Sequence, residues 1–431
     1  MGRLFGTDGI RGKYGDVITE SLAKKVAYAL PCFNIPVVLV GMDTRESSLS
    51  LKNELIKALK QVNFNVHDFN VISTPALMYL SYRYKCLAVM ITASHNPYED
   101  NGIKVIKCGY KLNDEEIDLL ESNMSSKLSI MGNDIPLSSL YEYQKLLTQF
   151  KISPKLKVLF DLSNGATTYI AKDILSNYNF KYQIINDKPN GKNINDKCGS
   201  TNISLLKKNI KKYDVDYAFA FDGDGDRVIA LDREGRVYDG NHLIYIFANY
   251  IQLKTRLDKK DVVLTIDSNP GVIQSLEKKG FVVSQSSVGD RNVVALMNEV
   301  AAEVGGEESG HIIVKEFSPT GDGLLNALFT LSIITDFGQS LAELTEGVVE
   351  YPVLKENLSE FNEKAVTSAK LKNVIEGHKK SLLSRSLILV RKSGTEHLLR
   401  ISISTGDTTL DKEIYNEIYE VVRSKEEWNT Q

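Results

Sequence analysis

An acidic turn carries the residue pattern with the clearest chemistry in this sequence. Asp222, Asp224 and Asp226 occupy alternate positions, and the glycines between them let the backbone curl so that the carboxylates can converge. Oxygen ligands of this kind suit a hard cation such as Mg²⁺. An EF-hand loop is excluded because its Gly and Glu positions hold Arg227 and Arg233. A haloacid-dehalogenase nucleophile is a weaker alternative, because the last position of its Asp-x-Asp-x-Thr/Val pattern holds Asp226. A solvated turn is also weaker, because three crowded aspartates repel one another without a cation.

A serine on a turn is the candidate nucleophile. Ser94 follows the apolar run Leu87–Ile91, and the pair Asn96-Pro97 forces a turn just after it. Its flanks lack the Gly-x-Ser-x-Gly pattern of a lipase-type elbow. We therefore expect an exposed serine on a rigid turn, which could accept an acyl or a phosphoryl group, and a plain loop serine is the alternative.

Two further segments offer anion-binding groups. The segment 391–396 supplies guanidinium, hydroxyl and glycine-turn amide donors that together suit a phosphate. Its candidate residues, with one arginine further along the chain, are Arg391, Ser393, Gly394, Thr395 and Arg400. The spacing of Ser393 and Glu396 also fits a helix capping box, and the two interpretations are compatible because helix N-termini attract anions. Near the start of the chain, Arg11 lies in a glycine-rich turn, which is a weak signal alone.

The loop 306–311 supplies groups that bind sugar hydroxyls. Glu307 and Ser309 provide a carboxylate and a hydroxyl, and His311 ends the loop. A histidine at this place could transfer a proton or contact a phosphate, and a purely structural histidine is the alternative. Together the loops indicate a phosphorylated sugar, with phosphoryl transfer at a metal and a serine.

Short β-branched runs alternate with helical patterns along most of the chain, which is typical of α/β layers. Three apolar runs each end in a similar polar turn: Val37–Val40, Val158–Phe160 and Val262–Ile266. In each third of the chain a second run then leads into one of the loops 92–97, 222–227 and 306–311. We expect these loops at strand ends, where α/β sheets place ligands.

The predicted architecture is α/β, with three related mixed α/β domains and a smaller C-terminal α+β domain around a central cleft. The predicted ranges are 1–152 for the serine-bearing domain, 153–254 for the metal-binding domain, 255–347 for the sugar-recognition domain and 348–431 for the phosphate-binding domain.

Composition narrows the function classes. The 431 residues are 42% hydrophobic and 25% charged with a net charge of −3, which is typical of a globular protein and gives no electrostatic basis for binding nucleic acid or an anionic membrane. The four scattered cysteines fit reduced thiols, the N-terminal sequence lacks an apolar leader, and no apolar run reaches the length of a membrane span. We therefore expect a cytoplasmic protein.

The four loops together resemble the α-D-phosphohexomutase family over essentially the whole chain. The motifs that carry the resemblance are TASHNP at 92–97, DGDGDR at 222–227, GEESGH at 306–311 and RKSGTE at 391–396. The segments 5–12 and 288–291 are similar to the glucosamine branch of that family. Glu308 stands where that branch usually has glutamine; glucose-specific relatives also carry glutamate in that loop, and a carboxylate there could instead favour the ammonium group of glucosamine.

The resemblance implies a role for each candidate residue. Ser94 is similar to the family's phosphoserine, and the three aspartates resemble the ligands of one Mg²⁺, which a phosphoryl oxygen of Ser94 completes. The residues expected around the phosphoryl group are Arg11, Lys104 and Arg227. Lys104 and His311 are the expected proton-transfer groups. Glu307 and Ser309 match the sugar-contacting loop, whereas the segment 391–395 and Arg400 match the loop that holds the non-reacting phosphate.

The resemblance also implies the reaction. Phospho-Ser94 would give its phosphoryl group to glucosamine 6-phosphate, and the resulting hexose 1,6-bisphosphate would turn round in the cleft and return the other phosphate, leaving glucosamine 1-phosphate. A phosphomannomutase or phosphoglucomutase on the same scaffold is the near alternative. A silent sugar-phosphate-binding protein and a phosphatase are more distant ones. A homodimer is possible by analogy.

Overall fold

Four β-sheets follow one another along the chain. The computed structural model describes residues 3–130, 140–255, 260–382, 385–392 and 397–424. Within these residues the sheets span 10–111, 157–238, 261–314 and 354–404. The architecture of three mixed α/β units and a smaller C-terminal unit is therefore confirmed, while the residue boundaries between them stay a prediction.

The first sheet has six strands flanked by helices. Its strands are β1 (Ile10–Lys13), β2 (Val37–Met42), β3 (Asn65–Val71), β4 (Leu87–Ile91), β5 (Asp100–Lys107) and β6 (Tyr110–Lys111). The helices are α1 (Glu20–Ala29), α2 (Ser48–Gln61), α3 (Thr74–Tyr84), α4 (Asp114–Asn123) and α5 (Tyr141–Leu147), with a 3₁₀ turn at Leu30–Phe33. Thr19, Ser73 and Asn113 accept backbone N–H groups as N-caps, which explains where α1, α3 and α4 begin.

The next two units have a similar construction. The second contains β7 (Lys157–Asp161), β8 (Lys181–Ile185), β9 (Tyr217–Phe221), β10 (Val228–Asp232), β11 (Val237–Tyr238), α6 (Thr167–Leu175) and α7 (Ser204–Tyr213). Then α8 (Gly240–Thr255) leads to the third, which contains β12 (Asp261–Thr265), β13 (Val282–Ser286), β14 (Val304–Gly306), β15 (Ile312–Val314), α9 (Pro270–Lys278), α10 (Asp290–Glu299), α11 (Gly323–Phe337) and α12 (Leu341–Leu344). Helix α8 packs against β14 and β15, although the predicted boundary at 254 would group it with the second sheet.

The three sheets repeat one topology. In each, a central strand (β2, β7 or β12) pairs in parallel with the two strands that follow it in sequence. The second of those two then pairs antiparallel with the next strand, giving β4 with β5, β9 with β10 and β14 with β15. The loops 92–99, 222–227 and 307–311 thus occupy equivalent positions, between the last parallel strand and its antiparallel neighbour.

Strand residues alternate between two apolar layers, as the two-residue period of a strand requires. Along β2, Val37 and Leu39 join a large core that also includes one face of the second and third sheets, whereas Val38 and Val40 pack beneath α1 and α2. Helix α11 is buried over residues 323–334 and runs through the shared core, as the apolar sequence there predicts.

The C-terminal unit is smaller and has its own core. It contains the antiparallel strands β16 (Leu354–Leu358), β18 (Leu399–Ser404) and β17 (Leu387–Lys392) in that order across the sheet, with helices α13 (Glu363–Val366), α14 (Ala369–Ser381) and α15 (Thr408–Arg423). Its buried apolar side chains form a cluster separate from the shared core. Among the described helices of the whole chain, none combines the length and apolarity needed to cross a membrane.

Candidate active site

The serine loop and the acidic loop meet at a short hydrogen bond. Ser94 Oγ donates to Asp222 Oδ2 at 2.8 Å, although the two residues are 128 positions apart. Ser94 has a left-handed φ of 52° and is 1% exposed. The expectation of an exposed serine is therefore wrong, because the acidic turn and its neighbours cover this side chain.

A buried arginine holds the serine loop in this conformation. Arg45 donates to the carbonyl oxygens of Ser94 (2.9 Å), Asn96 (2.8 Å) and Asp100 (3.0 Å), and also to that of Pro97. Its Nε lies 2.7 Å from Asp43 Oδ2. A residue with a left-handed φ needs such external support, because this conformation is unfavourable for a side chain other than glycine.

Asp43 links that arginine to the same loop. Its carboxylate accepts hydrogen bonds from Ser48 Oγ and Thr92 Oγ1, both at 2.7 Å, and Thr92 Oγ1 in turn accepts the backbone N–H of Ser94 at 3.0 Å. Sequence reasoning noticed the turn at 41–45 only as a strand end and missed both supporting residues. An Asp-x-Arg pair after a fully apolar strand was the available signal.

The acidic cluster has the donor set of a metal site. Asp222, Asp224 and Asp226 are buried and each offers a carboxylate oxygen within 4.8 Å of the others. Among the described residues, Asp224 Oδ1 and Asp226 Oδ1 are buried and have no hydrogen-bond partner. Buried carboxylate oxygens without partners are costly unless a cation binds them, so these residues fit Mg²⁺.

Charge repulsion within the cluster is visible at Asp222. Its burial, together with Asp226 and Asp224, raises its pKa well above the usual range. Burial and Asp226 act in the same direction on Asp224, but Lys104 outweighs them and lowers the pKa of Asp224 to about 2. Among the described side chains, the cluster is therefore short of positive charge at Asp222, the aspartate that Ser94 contacts.

Lys104 compensates part of this charge on the opposite side of the cluster. Its Nζ lies 2.7 Å from Asp224 Oδ2 and 3.2 Å from Asp8 Oδ1, and the side chain is 1% exposed. Burial lowers the pKa of Lys104. Thr74 Oγ1 donates to the same Asp224 oxygen at 2.6 Å. The predicted proton-transfer lysine is thus in the site and already paired.

His311 faces the cluster from the third sheet. Its Nδ1 lies 3.6 Å from Asp226 Oδ2, and its Nε2 accepts the backbone N–H of Gly321 at 3.2 Å. The neutral ring therefore carries its proton on Nδ1, facing Asp226. Burial lowers the pKa of His311, but Asp226 and Asp290 outweigh burial and raise it. The ring is therefore placed to hold a proton beside the acidic turn.

Two arginines add positive charge around the serine and the acidic turn. Arg11 and Arg227 each have a buried Nε with no hydrogen-bond partner among the described residues. Burial, then Arg227 and Arg11, lower the pKa of His95 to about 4, and His95 Nδ1 lies 3.3 Å from Ser94 Oγ. The positive charges of the two arginines therefore act on a side chain that contacts the serine, which favours an anion bound there. Sequence reasoning missed His95 as a contact of this serine.

A cavity of about 510 Å³ opens between the second, third and fourth units. Its wall includes Ser309, Arg391 and Arg400 among the predicted site residues. Glu307 is not among the described residues of that wall; its carboxylate accepts Gly289 N–H at 2.9 Å and Ser309 Oγ–H at 3.1 Å. Ser393, Gly394 and Thr395 lie outside the described residues. The volume fits a small polar ligand.

The loop 307–311 joins this cavity to the acidic cluster. Ser309 lines the cavity, whereas His311 faces Asp226, and the carbonyl of Gly310 accepts the N–H of Val228 at 3.1 Å. Of the predicted residues, the structure therefore brings Ser94, the three aspartates, Lys104, Arg11, Arg227 and His311 together at one centre. It places Ser309, Arg391 and Arg400 around the adjoining cavity.

Family comparison agrees with this arrangement. Models described as phosphoglucomutase/phosphomannomutase alpha/beta/alpha domains I, II and III match residues 2–130, 139–235 and 239–351. The chain belongs to the phosphoglucomutase/phosphomannomutase family. It is an enzyme of the isomerase class, a hexose-phosphate mutase.

Curated relatives extend the likeness over nearly the whole chain. Phosphoglucosamine mutase of Bacillus subtilis is 38% identical, with 99% of each chain covered. Phosphoglucosamine mutase of Limosilactobacillus reuteri is also 38% identical, with 98% of each covered. A phosphoglucomutase/phosphomannomutase family protein from Burkholderia thailandensis has the same fold, with a TM-score of 0.83 at 19% identity over 97% of this chain and 96% of that one.

Some of the similar solved structures contain ligands. N-acetylphosphoglucosamine mutase of Aspergillus fumigatus, solved with GlcNAc-6P and magnesium, has a TM-score of 0.64 at 16% identity and covers 90% of this chain and 83% of that one. Its likeness supports the shared fold.

Proposed function

We propose that this enzyme interconverts glucosamine 6-phosphate and glucosamine 1-phosphate, with Ser94 carrying the transferred phosphoryl group. One observation carries the proposal: Ser94 Oγ lies 2.8 Å from Asp222, which belongs to a cluster of three buried carboxylates. The names of relatives that are 35–38% identical over nearly the whole chain support the choice of sugar.

Asp222, Asp224 and Asp226 would hold one Mg²⁺. When bound, the ion neutralises negative charge on the transferring phosphoryl group. The two arginines, Arg11 and Arg227, supply further positive charge at the same place, and the Nε atom of each has no hydrogen-bond partner among the described residues. This division of charge suits phosphoryl transfer, in which most of the catalysis is positioning and electrostatic stabilisation.

The proposed exchange has two steps. First, the phosphoryl group leaves Ser94 Oγ for the C1 hydroxyl of glucosamine 6-phosphate. The proton of that hydroxyl is passed on through groups beside the acidic turn, for which Lys104 and His311 are candidates, and one proton ends on Ser94 Oγ. The bound 1,6-bisphosphate then turns round. In the second step its 6-phosphoryl group moves to Ser94 Oγ, which gives up its proton, and one proton is delivered to the C6 oxygen, which leaves glucosamine 1-phosphate.

The exchange needs a second phosphate-binding site, which the cavity can supply. Arg391 and Arg400 line the face contributed by the C-terminal unit, so they can hold the phosphate that is not reacting. Ser309, on the opposite wall, can contact sugar hydroxyls. Since both ends of the bisphosphate must be held in turn, a cavity next to the serine site is required.

Substrate profiling tests the proposal. The phosphorylated enzyme with Mg²⁺ is assayed on glucosamine 6-phosphate, glucose 6-phosphate and mannose 6-phosphate, with each 1-phosphate product measured by a coupled reaction. We expect glucosamine 6-phosphate to have the highest kcat/KM. No turnover of glucosamine 6-phosphate alongside efficient turnover of glucose or mannose 6-phosphate would establish the alternative, a phosphoglucomutase or phosphomannomutase.

We also propose that the enzyme works in the cytoplasm. The four cysteines are all free, which suits a reducing compartment. The net charge of −3 fits a protein that acts on small phosphosugars rather than on nucleic acid or membranes. A homodimer stays a prediction, which the mass of the purified protein in solution would test.

A further inference from the structure

The walls of the cavity carry opposite charges. The second and third units contribute the carboxylates of Asp239, Asp267 and Glu308. The C-terminal unit contributes three cations, Lys355, Arg391 and Arg400, together with the exposed carboxylate Glu356. A ligand that is anionic at one end and cationic at the other therefore matches the cavity better than a simple anion does.

Glu308 is the carboxylate that reaches across the cavity. Its Oε1 lies 3.3 Å from Lys355 Nζ, and the two side chains are 38% and 61% exposed. An ion pair this exposed stabilises a protein by about 1 kcal/mol at most, so a ligand can replace either partner. The neighbouring Glu307 differs, because Gly289 and Ser309 already donate to its carboxylate.

The backbone fixes where Glu308 stands. Its carbonyl oxygen accepts the N–H of Gly240 at 3.0 Å, which ties the loop to the start of α8 beside Asp239. On the other side, Asp267 Oδ1 accepts a hydrogen bond from Thr265 at 2.6 Å. Burial raises the pKa of Glu308, Lys355 opposes this, and Asp239 and Asp267 add to it, so Glu308 lies in a field that favours a cation.

We propose that Glu308, assisted by Asp239 and Asp267, binds the ammonium group of the amino sugar and thereby selects a free amine over a hydroxyl or an acetylated amine. This inference rests on the proposed function and names the group by which that function chooses its substrate. The ammonium group replaces Lys355 as the partner of Glu308, and Lys355 is released towards the phosphate side of the cavity. No covalent step is involved.

Two substitutions with opposite effects test this role. Glu308→Gln keeps the side-chain shape but removes the charge, whereas Lys355→Met removes the competitor for that charge. The measurement is the ratio of kcat/KM for glucosamine 6-phosphate to that for glucose 6-phosphate. This ratio cancels changes in phosphate binding and in the chemical step that both substrates share. Glu299→Gln, on the exposed end of α10 outside the cavity wall, is the matched control.

We expect Glu308→Gln to lower the ratio about tenfold, which corresponds to the loss of about 1.4 kcal/mol of binding to the charged amine. Lys355→Met should leave the ratio unchanged or raise it, and Glu299→Gln should leave it unchanged. N-acetylglucosamine 6-phosphate, which has no ammonium group, should remain a poor substrate for the unmodified enzyme.

The outcomes separate this inference from the proposed function. If the unmodified enzyme does not turn over glucosamine 6-phosphate, the proposed function fails. If it does, but Glu308→Gln leaves the ratio unchanged, only the inference is overturned. A fall in the ratio of equal size in Glu308→Gln and Lys355→Met would also overturn it, because that result indicates a structural link between the two walls rather than recognition of the amine.

Discussion

The aspartates of the acidic turn are arranged to bind a cation, and without one their mutual repulsion does not stabilise the fold. Asp222 shows this most clearly, because its own burial and the two neighbouring aspartates disfavour its charged form. Asn is nearly isosteric with a protonated aspartate, and its amide can still accept the Gly225 and Arg227 N–H groups, which lie 3.2 Å from Asp222 Oδ1. The same substitution removes a charge that a metal needs.

Asp222→Asn should therefore have effects of opposite sign with and without metal. In a chelator at neutral pH, we expect the variant to be more stable than the unmodified protein by about 1–2 kcal/mol, the size of effect that relief of a buried like-charge contact gives. With Mg²⁺ at 100 times its dissociation constant, the unmodified protein should gain about 3 kcal/mol and the variant much less. Thermal unfolding in both conditions measures this.

A control variant separates this effect from a general change of surface charge. Asp173→Asn, on the exposed side of α6, should leave the response to Mg²⁺ unchanged. In chelator, an Asp222→Asn protein that is clearly less stable than the unmodified one would show that the turn is a structural network and not a cation site.

The sequence predicts that these carboxylates converge, but it does not predict the residues that hold the serine loop against them. Alternating Asp and Gly after an apolar strand predicts convergent carboxylates, and the structure brings them together. The burial of Ser94 could not be predicted, since it depends on Arg45 and Asp222, which are 49 and 128 positions away and meet it only in the folded chain.

At the level of elements, one buried arginine fixes a whole loop. Arg45 follows β2 and donates to four carbonyl oxygens between Ser94 and Asp100, next to the end of β4. Lysine could not reproduce this set, because only the planar guanidinium presents donors in several fixed directions.

Arg45→Met should loosen the serine loop and leave Asp43 as an uncompensated buried charge. We expect a loss of about 3 kcal/mol in unfolding free energy, as is usual when one partner of a buried pair is removed, together with a large fall in kcat. Arg83→Met is the control, because Arg83 is half exposed and lies 3.6 Å from Glu142. Chemical denaturation should show less than about 1 kcal/mol of change for Arg83→Met. Equal losses in the two variants would contradict this account.

A second contact between elements should make stability depend on pH. Tyr143 in α5 donates to Asp322 Oδ2 at 2.8 Å, and the other oxygen of Asp322 caps α11. Burial raises the pKa of Asp322 to about 6, from an ordinary 3.8. The folded chain therefore binds this proton more tightly than the unfolded chain does, so the contribution of Asp322 to stability falls as pH rises from about 4 to about 6 and then stays constant.

Asp322→Asn keeps the acceptor for Tyr143 and for the helix cap but cannot titrate. As the pH rises from 4 to 7, we expect the unfolding free energy of the variant to rise by about 3 kcal/mol relative to that of the unmodified protein. This figure follows from about 1.4 kcal/mol for each unit of a pKa shift of about two units. Urea unfolding across this range measures the difference. Parallel stability curves for the two proteins would contradict the buried carboxyl described here.

The number of related units could be predicted from the sequence, but the direction of their strands could not. Repeated apolar runs that end in polar turns predict three related units, and the sheets confirm them. Strand direction was not predictable in the same way. Strands β5, β10 and β15 run antiparallel to the strands before them because of how they pair. A run of buried residues such as Val228–Asp232 has the same pattern in either direction, so the sequence does not show which pairing forms.

In the molecule as a whole, the C-terminal unit is stabilised by a hydrophobic core of its own. Its apolar cluster is separate from the core that the other three share. It is tied to the third unit by polar contacts, including Asn269 Nδ2 with the carbonyl of Tyr351 at 2.9 Å and Arg385 with Glu277 at 2.7 Å. Polar contacts of this kind allow one unit to move or open without unfolding its neighbour.

Hydrogen exchange should therefore show the C-terminal unit as a separate opening unit. We expect amides of β17 and β18 to exchange faster than those of β7 and β9 in the free enzyme. Glucosamine 6-phosphate should slow exchange in β17 and β18, because the ligand joins this unit to the others across the cavity. Uniform protection across all four sheets, unaffected by ligand, would contradict this organisation.

Domain organisation was predictable in outline because each unit needs its own buried strands. The position of α8 was not, since an apolar helix between two sheets can pack on either one, and the packing on β14 and β15 is decided by surfaces that form only on folding.

The most direct test of the central claim follows the phosphoryl group itself. The enzyme is charged with glucose 1,6-bisphosphate and Mg²⁺, the modified residue is located by peptide mass spectrometry, and glucosamine 6-phosphate is then added. We predict one phosphoryl group on Ser94 that is absent in Ser94→Ala. After glucosamine 6-phosphate is added, the amount of this phosphoryl group that disappears should equal the amount of hexose bisphosphate formed. A phosphoryl group on another residue, or its release as inorganic phosphate in equal amount, would contradict the mechanism.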